Sequence, residues 1–176
     1  MTMTITIRLI KPADIMAVVA LQDSCYSDAL YESPALLQQR LSAAADSCWL
    51  AENANGQLLA YLFSYPSING HITPFASAFT LNAMPELLYL HDMAVNPAAR
   101  GLGLASRLLA TAQQHALSQG LMKLALVAVQ GSVPYWQRQG FRVVTRLTDS
   151  AEHALRSYQG EQARYMQAAL FSDTKG

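Results

Sequence analysis

Residues 89–109 read YLHDMAVNPAARGLGLASRLL, and this stretch decides the fold. It begins as a buried strand and runs into a glycine-punctuated turn. The turn carries Arg100, Gly101, Gly103 and Ala105, cationic or small residues where the backbone must approach something closely. A helix follows, with Ala105, Leu108, Leu109, Ala112 and Ala116 along one face and Gly120 as its C-terminal stop. Bare N–H groups at a helix start form a ready anion site. The strand carries His91 and Asp92, two groups able to handle protons near neutral pH. A base at the end of a strand beside an anion-binding turn points to an enzyme with a phosphate-bearing cofactor.

Outward from that stretch, periodicity places the other elements. Residues 4–10 alternate as a strand, and Pro12 and Asp14 open a helix with Ile15, Val18, Val19 and Gln22 on one face. Ser33 and Pro34 form an N-cap and first-position proline for a second helix through Leu37 and Leu41. Residues 48–52 and 57–65 flank Asn53-Ala54-Asn55-Gly56 as a hairpin. Residues 66–86 read as a long loop, a type of segment that is often functional. Residues 87–95 and 101–119 are the opening strand and helix. The apolar run 121–129 is a buried strand. A short helix over 133–139 ends at Gly140, and 141–147 and 163–170 are the last strands, joined by a polar connection. The alternation predicts an α/β protein, a mixed sheet with helices on its faces, in a single domain over residues 1–176.

Composition narrows the function classes. Hydrophobic residues make up 52% and charged residues 14%, which excludes a disordered chain. Twelve basic and twelve acidic side chains cancel, so no basic surplus favours nucleic acid or an anionic membrane, although charges can still segregate into a local patch. No apolar run reaches the roughly 18 residues of a membrane span, and the N-terminus lacks a signal-peptide core. A cytoplasmic protein is therefore the expectation. Cys25 and Cys48 lack metal-ligand spacing and read as reduced packing residues, so no metal site is expected.

Three glycine-loop readings compete for the turn. A P-loop needs Gly-x-x-x-x-Gly-Lys-Ser/Thr, which does not occur. A dinucleotide fingerprint needs a third small residue, where Ser106 stands, and an acidic residue after the next strand, which ends at Val129-Gln130. The third reading is a helix start whose glycines serve tight packing. The surroundings favour another pattern. Arg100-Gly101-Leu102-Gly103-Leu104-Ala105 fits Arg/Gln-x-x-Gly-x-Gly/Ala, and about 35 residues on comes Tyr135-Trp136-Gln137-Arg138-Gln139-Gly140-Phe141. In order and spacing the chain resembles the GCN5-related N-acetyltransferases (GNAT), most specifically over residues 88–141. Leu90-His91-Asp92-Met93-Ala94-Val95 is also similar to the corresponding strand of aralkylamine N-acetyltransferases.

The resemblance implies a mostly antiparallel, twisted sheet of about seven strands with about four helices. Its central strands, matching 89–95 and 123–129, would splay to admit the pantetheine of acetyl-CoA. Met93, Ala94 and Val95 would line that cofactor, with the Met93 amide polarising the thioester carbonyl. Arg100, Gly101, Leu102, Gly103, Leu104 and Ala105 would wrap the pyrophosphate, and Gln130 and Tyr135 would line the other side of the cofactor. His91 is the first candidate base, with Asp92 expected on the opposite strand face and Tyr89 on the face of His91. The family often places a tyrosine five residues before the phenylalanine of Gly-Phe. Here that residue is Trp136, and Tyr135, the candidate acid, lies roughly 100° away on a helix.

The acceptor site is expected in loops 26–33 and 66–86. Tyr26, Tyr31 and Phe75 could contact an apolar or aromatic amine, and Glu32 or Asp28 could hold a second cation. With no acidic run to suggest a basic-peptide groove, a small primary amine is favoured. A protein N-terminal or lysine acetyltransferase is the alternative enzyme, and a non-catalytic acyl-CoA sensor the alternative of another class. A homodimer is an expectation by family analogy alone.

Overall fold

The computed structural model describes residues 4–25, 31–129, 131–158 and 162–170. Seven strands form one sheet: β1 (Ile5–Leu9), β2 (Cys48–Asn53), β3 (Leu58–Ser67), β4 (Leu87–Val95), β5 (Lys123–Ala128), β6 (Arg142–Val143) and β7 (Arg164–Ala169). Their spatial order is β1-β2-β3-β4-β5-β7-β6. Only β4 and β5 run parallel; the other neighbours are antiparallel. The helices are α1 (Ile15–Cys25), α2 (Pro34–Ala43), α3 (Leu104–Ser118), α4 (Val133–Arg138) and α5 (Asp149–Arg156). The mixed, mostly antiparallel architecture agrees with the expected α/β fold, with one helix more.

Two cores lie on the two sheet faces. On one, α1 and α2 lay Val18, Val19, Leu37 and Leu41 over Tyr61, Phe63, Tyr65 and Tyr89. On the other, α3 lays Leu104, Leu108, Leu109, Ala112 and Ala116 over Leu62, Leu88, Leu90 and Leu126. The caps act as their residue types dictate: the Ser33 side chain accepts from the Leu36 amide at 3.2 Å and starts α2.

The extra helix, α5, stands where a polar connection is expected. Thr148 caps it by accepting from the Ala151 amide, and acids at its start and His153 and Arg156 at its end complement the helix dipole. Only Ala151 and Ala154 of it are buried. Strand β6 is correspondingly short, because the chain turns away after Val143 to enter α5. Strand β3 runs on to Ser67, where the Glu86 amide closes the base of the following loop at 2.8 Å. That loop is tied down over the α1–α2 face, with Ile72, Thr73 and Phe79 buried.

Two irregularities in the centre of the sheet build the site. First, β4 and β5 pair only from Leu88↔Leu124 to Leu90↔Leu126 and then separate. Second, Phe63 faces Asp92 and Ser64 faces Leu90, so His91 has no residue opposite. This is a β-bulge, which re-aims side chains and increases twist.

Candidate functional site

The separation of β4 from β5 opens a cleft of about 320 Å³. Leu90, His91, Asp92, Met93 and Val95 line it from β4, Leu126 and Val127 from β5, Val129 just after β5, and Ala105 from the start of α3. Tyr135 and Trp136 of α4 and Phe75, Glu32 and Tyr158 complete the wall.

The bulge changes what alternation predicts for His91 and Asp92. A regular strand sends neighbours to opposite faces. With His91 as the extra residue, its ring stays with Tyr89 (centroids 6.2 Å apart), and Asp92 shares the face of its cross-strand partner Phe63. Both therefore point to the α1–α2 side and both line the cleft. The Tyr61 hydroxyl donates to Asp92 Oδ2 at 2.8 Å. Burial pushes the Tyr89 phenol up, so it stays protonated.

His91 belongs to a buried charged group. Its side chain is 3% exposed and its Nε2 lies 3.4 Å from Glu32 Oε1. Arg40 Nη1 lies 2.7 Å from the same oxygen, and the two side chains are 0% and 5% exposed. That contact is ionic rather than a well-aligned hydrogen bond. The Arg40 Nε and Nη2 donate to the Ser77 carbonyl at 3.0 and 2.6 Å. The Ala76 amide donates to Glu32 Oε2 at 3.2 Å from a left-handed backbone, φ 60°, a costly geometry for alanine that tends to persist at functional sites. Buried Gln22 of α1 grips the Glu32 main chain at both its N–H and its carbonyl. Burial pushes the Glu32 carboxyl up, but His91 and Arg40 outweigh it and hold the group at about 2. His91 Nδ1 is buried and makes no hydrogen bond among the described residues.

Of the anticipated acceptor residues, Phe75 lines the cleft, its amide donating to Ser157 Oγ at 2.8 Å and its ring edge-on to Tyr158. Tyr31 is 44% exposed and is not among the lining residues. Tyr26, Asp28 and Gln130 lie outside the described residues. Glu32 lines the cleft, but its charge faces Arg40 and His91. Tyr158 goes unnoticed in the sequence because it follows a helix with a weak signal. Its hydroxyl donates to the Thr73 carbonyl at 2.8 Å, and burial, reinforced by Glu32, keeps the phenol protonated. Arg40 does carry a signal: a cation between Leu37 and Leu41, on an otherwise apolar helix face.

At the other end of the cleft, a 3-10 turn over Pro97–Ala99 is capped by Asn96 Oδ1 on the Ala98 amide. Gly101 and Gly103 follow with φ of 89° and 71°. A Cβ at either position would meet nothing within 4 Å, so backbone conformation, not space, requires glycine there. Arg100, Gly101, Leu102 and Gly103 are exposed, Leu104 is the buried first residue of α3, and the first amides of α3 have no partner within the helix. The turn fits a polyanion, and Ala105 links it to the cleft. Ala94 turns its side chain into the α1–α2 core, and the Val95 carbonyl accepts from Cys25 Sγ at 3.3 Å.

On α4, Trp136 packs edge-on to Phe141 at the α3-side core, and Tyr135 packs edge-on to Trp136. Both line the cleft. Burial raises the Tyr135 phenol while Arg138 pulls it down, with a net rise, so the group carries its proton at neutral pH.

No curated protein matches the sequence. Among solved structures, the loading GNATL domain of CurA from Lyngbya majuscula superposes with a TM-score of 0.73 at 14% identity, covering 94% of this chain and 98% of that one. Ard1 from Thermoplasma volcanium gives 0.70 at 16%, covering 96% and 99%. The GNAT family N-acetyltransferase YhbS from Escherichia coli, solved in complex with CoA, gives 0.65 at 21%, covering 97% and 84%. At these identities the likeness is one of fold. A family model described as Acetyltransferase (GNAT) family matches residues 15–141. The matched segment contains α1 through α4, the parted strands and the glycine turn, and the chain belongs to the acetyltransferase (GNAT) family.

Proposed function

We propose that the protein is an acetyl-CoA-dependent N-acetyltransferase that acts on a small primary amine by direct attack on the thioester. The observation that carries this reading is that His91, whose Nδ1 is buried and unpartnered among the described residues, lines a cleft that reaches the start of α3 at Ala105, just after the glycine turn. Acetyl-CoA supplies an activated acetyl group on a thiolate that can leave. The amides of Gly101 through Ala105 hold its pyrophosphate, and Arg100 adds a positive charge at the mouth. Met93 and Val95 would line the path of the pantetheine, and the Met93 amide would polarise the thioester carbonyl. Asp92 draws the acceptor ammonium into the cleft, and His91 Nδ1 takes its proton. Tyr135 donates a proton to the departing sulfur.

The mostly aliphatic and aromatic wall, with Phe75 and Tyr158 beside the acids, favours a compact amine with an apolar body. Thiol release from acetyl-CoA is the test, with three sets of acceptors: small primary amines, peptides with free N-termini, and lysine peptides. Release with small amines supports the reading. Release with peptides alone supports the protein acetyltransferase, and tight CoA binding without release for any acceptor supports a sensor.

Gly103→Val tests the turn. A branched residue at φ 71° costs on the order of 1–3 kcal/mol, and it relieves that strain by rotating the amides away from the anion. The protein should still fold, with CoA affinity by titration calorimetry reduced at least about tenfold, the equivalent of one lost charge-assisted hydrogen bond. Unaltered affinity would place the pyrophosphate elsewhere.

A further inference from the structure

We infer that Glu32 and Arg40 are positioning residues for His91: together they hold the imidazole with its Nε2–H on the carboxylate and leave Nδ1 bare as the proton acceptor. The inference rests on the reading of the cleft as the place where an amine loses its proton.

The argument starts from the carboxylate. Ionised Glu32 is an acceptor only. The Ala76 amide donates to it, Arg40 lies against it as an ion pair, and the ring nitrogen that faces it is Nε2. That nitrogen must therefore carry the hydrogen. A neutral imidazole has one N–H, so Nδ1 keeps its lone pair. Nδ1 is the atom without a hydrogen-bond partner among the described residues.

Three contacts limit rotation of the ring. Phe79 stands edge-on with its centroid 5.4 Å away, Tyr89 lies nearly parallel behind it, and Glu32 holds the far nitrogen. Arg40 fixes Glu32 in turn, its guanidinium lying over the Phe79 ring at 5.2 Å. The same Phe79 thus touches both ends of the group.

The proton step balances without another reactant. The N–H bond of the acceptor ammonium breaks and Nδ1–H forms, giving an amine with a free lone pair and an imidazolium. The positive charge arises beside the carboxylate of Glu32, whose partner Arg40 also donates through Nε and Nη2 to the Ser77 carbonyl. Removing the charge of Glu32 should therefore make the imidazolium harder to form while leaving the cleft in shape.

The titratable and charged groups around His91 are Glu32 and Arg40 on the α2 side, Tyr65 of β3 behind Tyr89, Tyr89 and Asp92 of β4, and Tyr158 after α5. The loop over the site contributes Ala76 and Phe79, neither of which titrates. Among these, Glu32 is the carboxylate in contact with the ring.

The test uses protein labelled with nitrogen-15 in histidine, free of any substrate, with His91→Gln to assign the signals. In the wild type, neutral His91 should show a protonated Nε2 and an unprotonated Nδ1. Glu32→Leu removes the acceptor, and in it neutral His91 should show a mixture of the two tautomers in place of the single Nε2–H form. In turnover, the same variant should lower kcat on the order of 10²-fold, the typical worth of a placed base, with KM for acetyl-CoA within about twofold, since Glu32 lies away from the turn. A proton on Nδ1 in the wild type overturns the proposal, as does an unchanged tautomer in Glu32→Leu. If that variant fails to fold, the wild-type tautomer decides. Because the spectra need no substrate, a correct tautomer without turnover for any acceptor overturns the acetyltransferase reading instead.

Discussion

Arg40→Met should unfold about 3–5 kcal/mol more easily than the wild type, the usual cost of breaking a buried ion pair from one side. Methionine fills most of the volume, so the loss is electrostatic: Glu32 is left buried with a weakened counter-charge, and the Ser77 carbonyl loses two donors. Urea denaturation with an unchanged m-value reads it. The double variant Arg40→Met, Glu32→Gln should recover much of the loss, because a neutral replacement of a buried pair is often close to neutral in stability. If the double variant is no more stable than the single one, Arg40 acts through packing alone.

Acid should do the same by another route. The Glu32 carboxyl lies at about 2 in the folded protein against an ordinary 4.5. Its contribution is therefore complete above pH 4.5 and is lost as the pH falls toward 2, a total on the order of 3 kcal/mol. In Glu32→Gln that part of the stability–pH curve should flatten. A curve that keeps the wild-type slope between pH 5 and 2 would mean that other carboxylates carry the acid sensitivity.

The second large effect is on rate. His91→Ala should lower thiol release at neutral pH by about 10²- to 10⁴-fold, the range for loss of a placed general base. Affinity for CoA should change little, since the turn at Gly101 and Gly103 is untouched. Raising the pH should restore part of the rate, because the acceptor then arrives already deprotonated. A rate within about threefold of the wild type across the pH range would remove His91 from proton transfer and turn attention to Asp92.

Much of this architecture is legible in the residues. The apolar stripe of α3, the Ser33-Pro34 start of α2 and the nearly continuous apolar run of β5 are local patterns, and local patterns survive folding. Helix α5 is less legible because its stability comes from a cap, end charges and two buried alanines. The glycine turn is legible for a different reason. Gly101 and Gly103 occupy backbone conformations that other residues resist, so their identity reports their geometry.

His91, Asp92 and the turn could be picked out because they lie within one stretch of chain. Their relation could not. Alternation separates His91 from Asp92, and the bulge that reunites them is a property of the pairing between β3 and β4. Arg40 and Glu32 are eight positions apart and far in sequence from His91, and only the packing of α2 and the 68–86 loop against β4 brings the three together. Sequence by itself determined most of the elements and the left-handed turn at Gly101 and Gly103, because both depend on backbone propensities that each short segment carries. Tertiary structure alone decided which charges meet, since the energy of a buried charge depends on the groups around it and not on its neighbours along the chain.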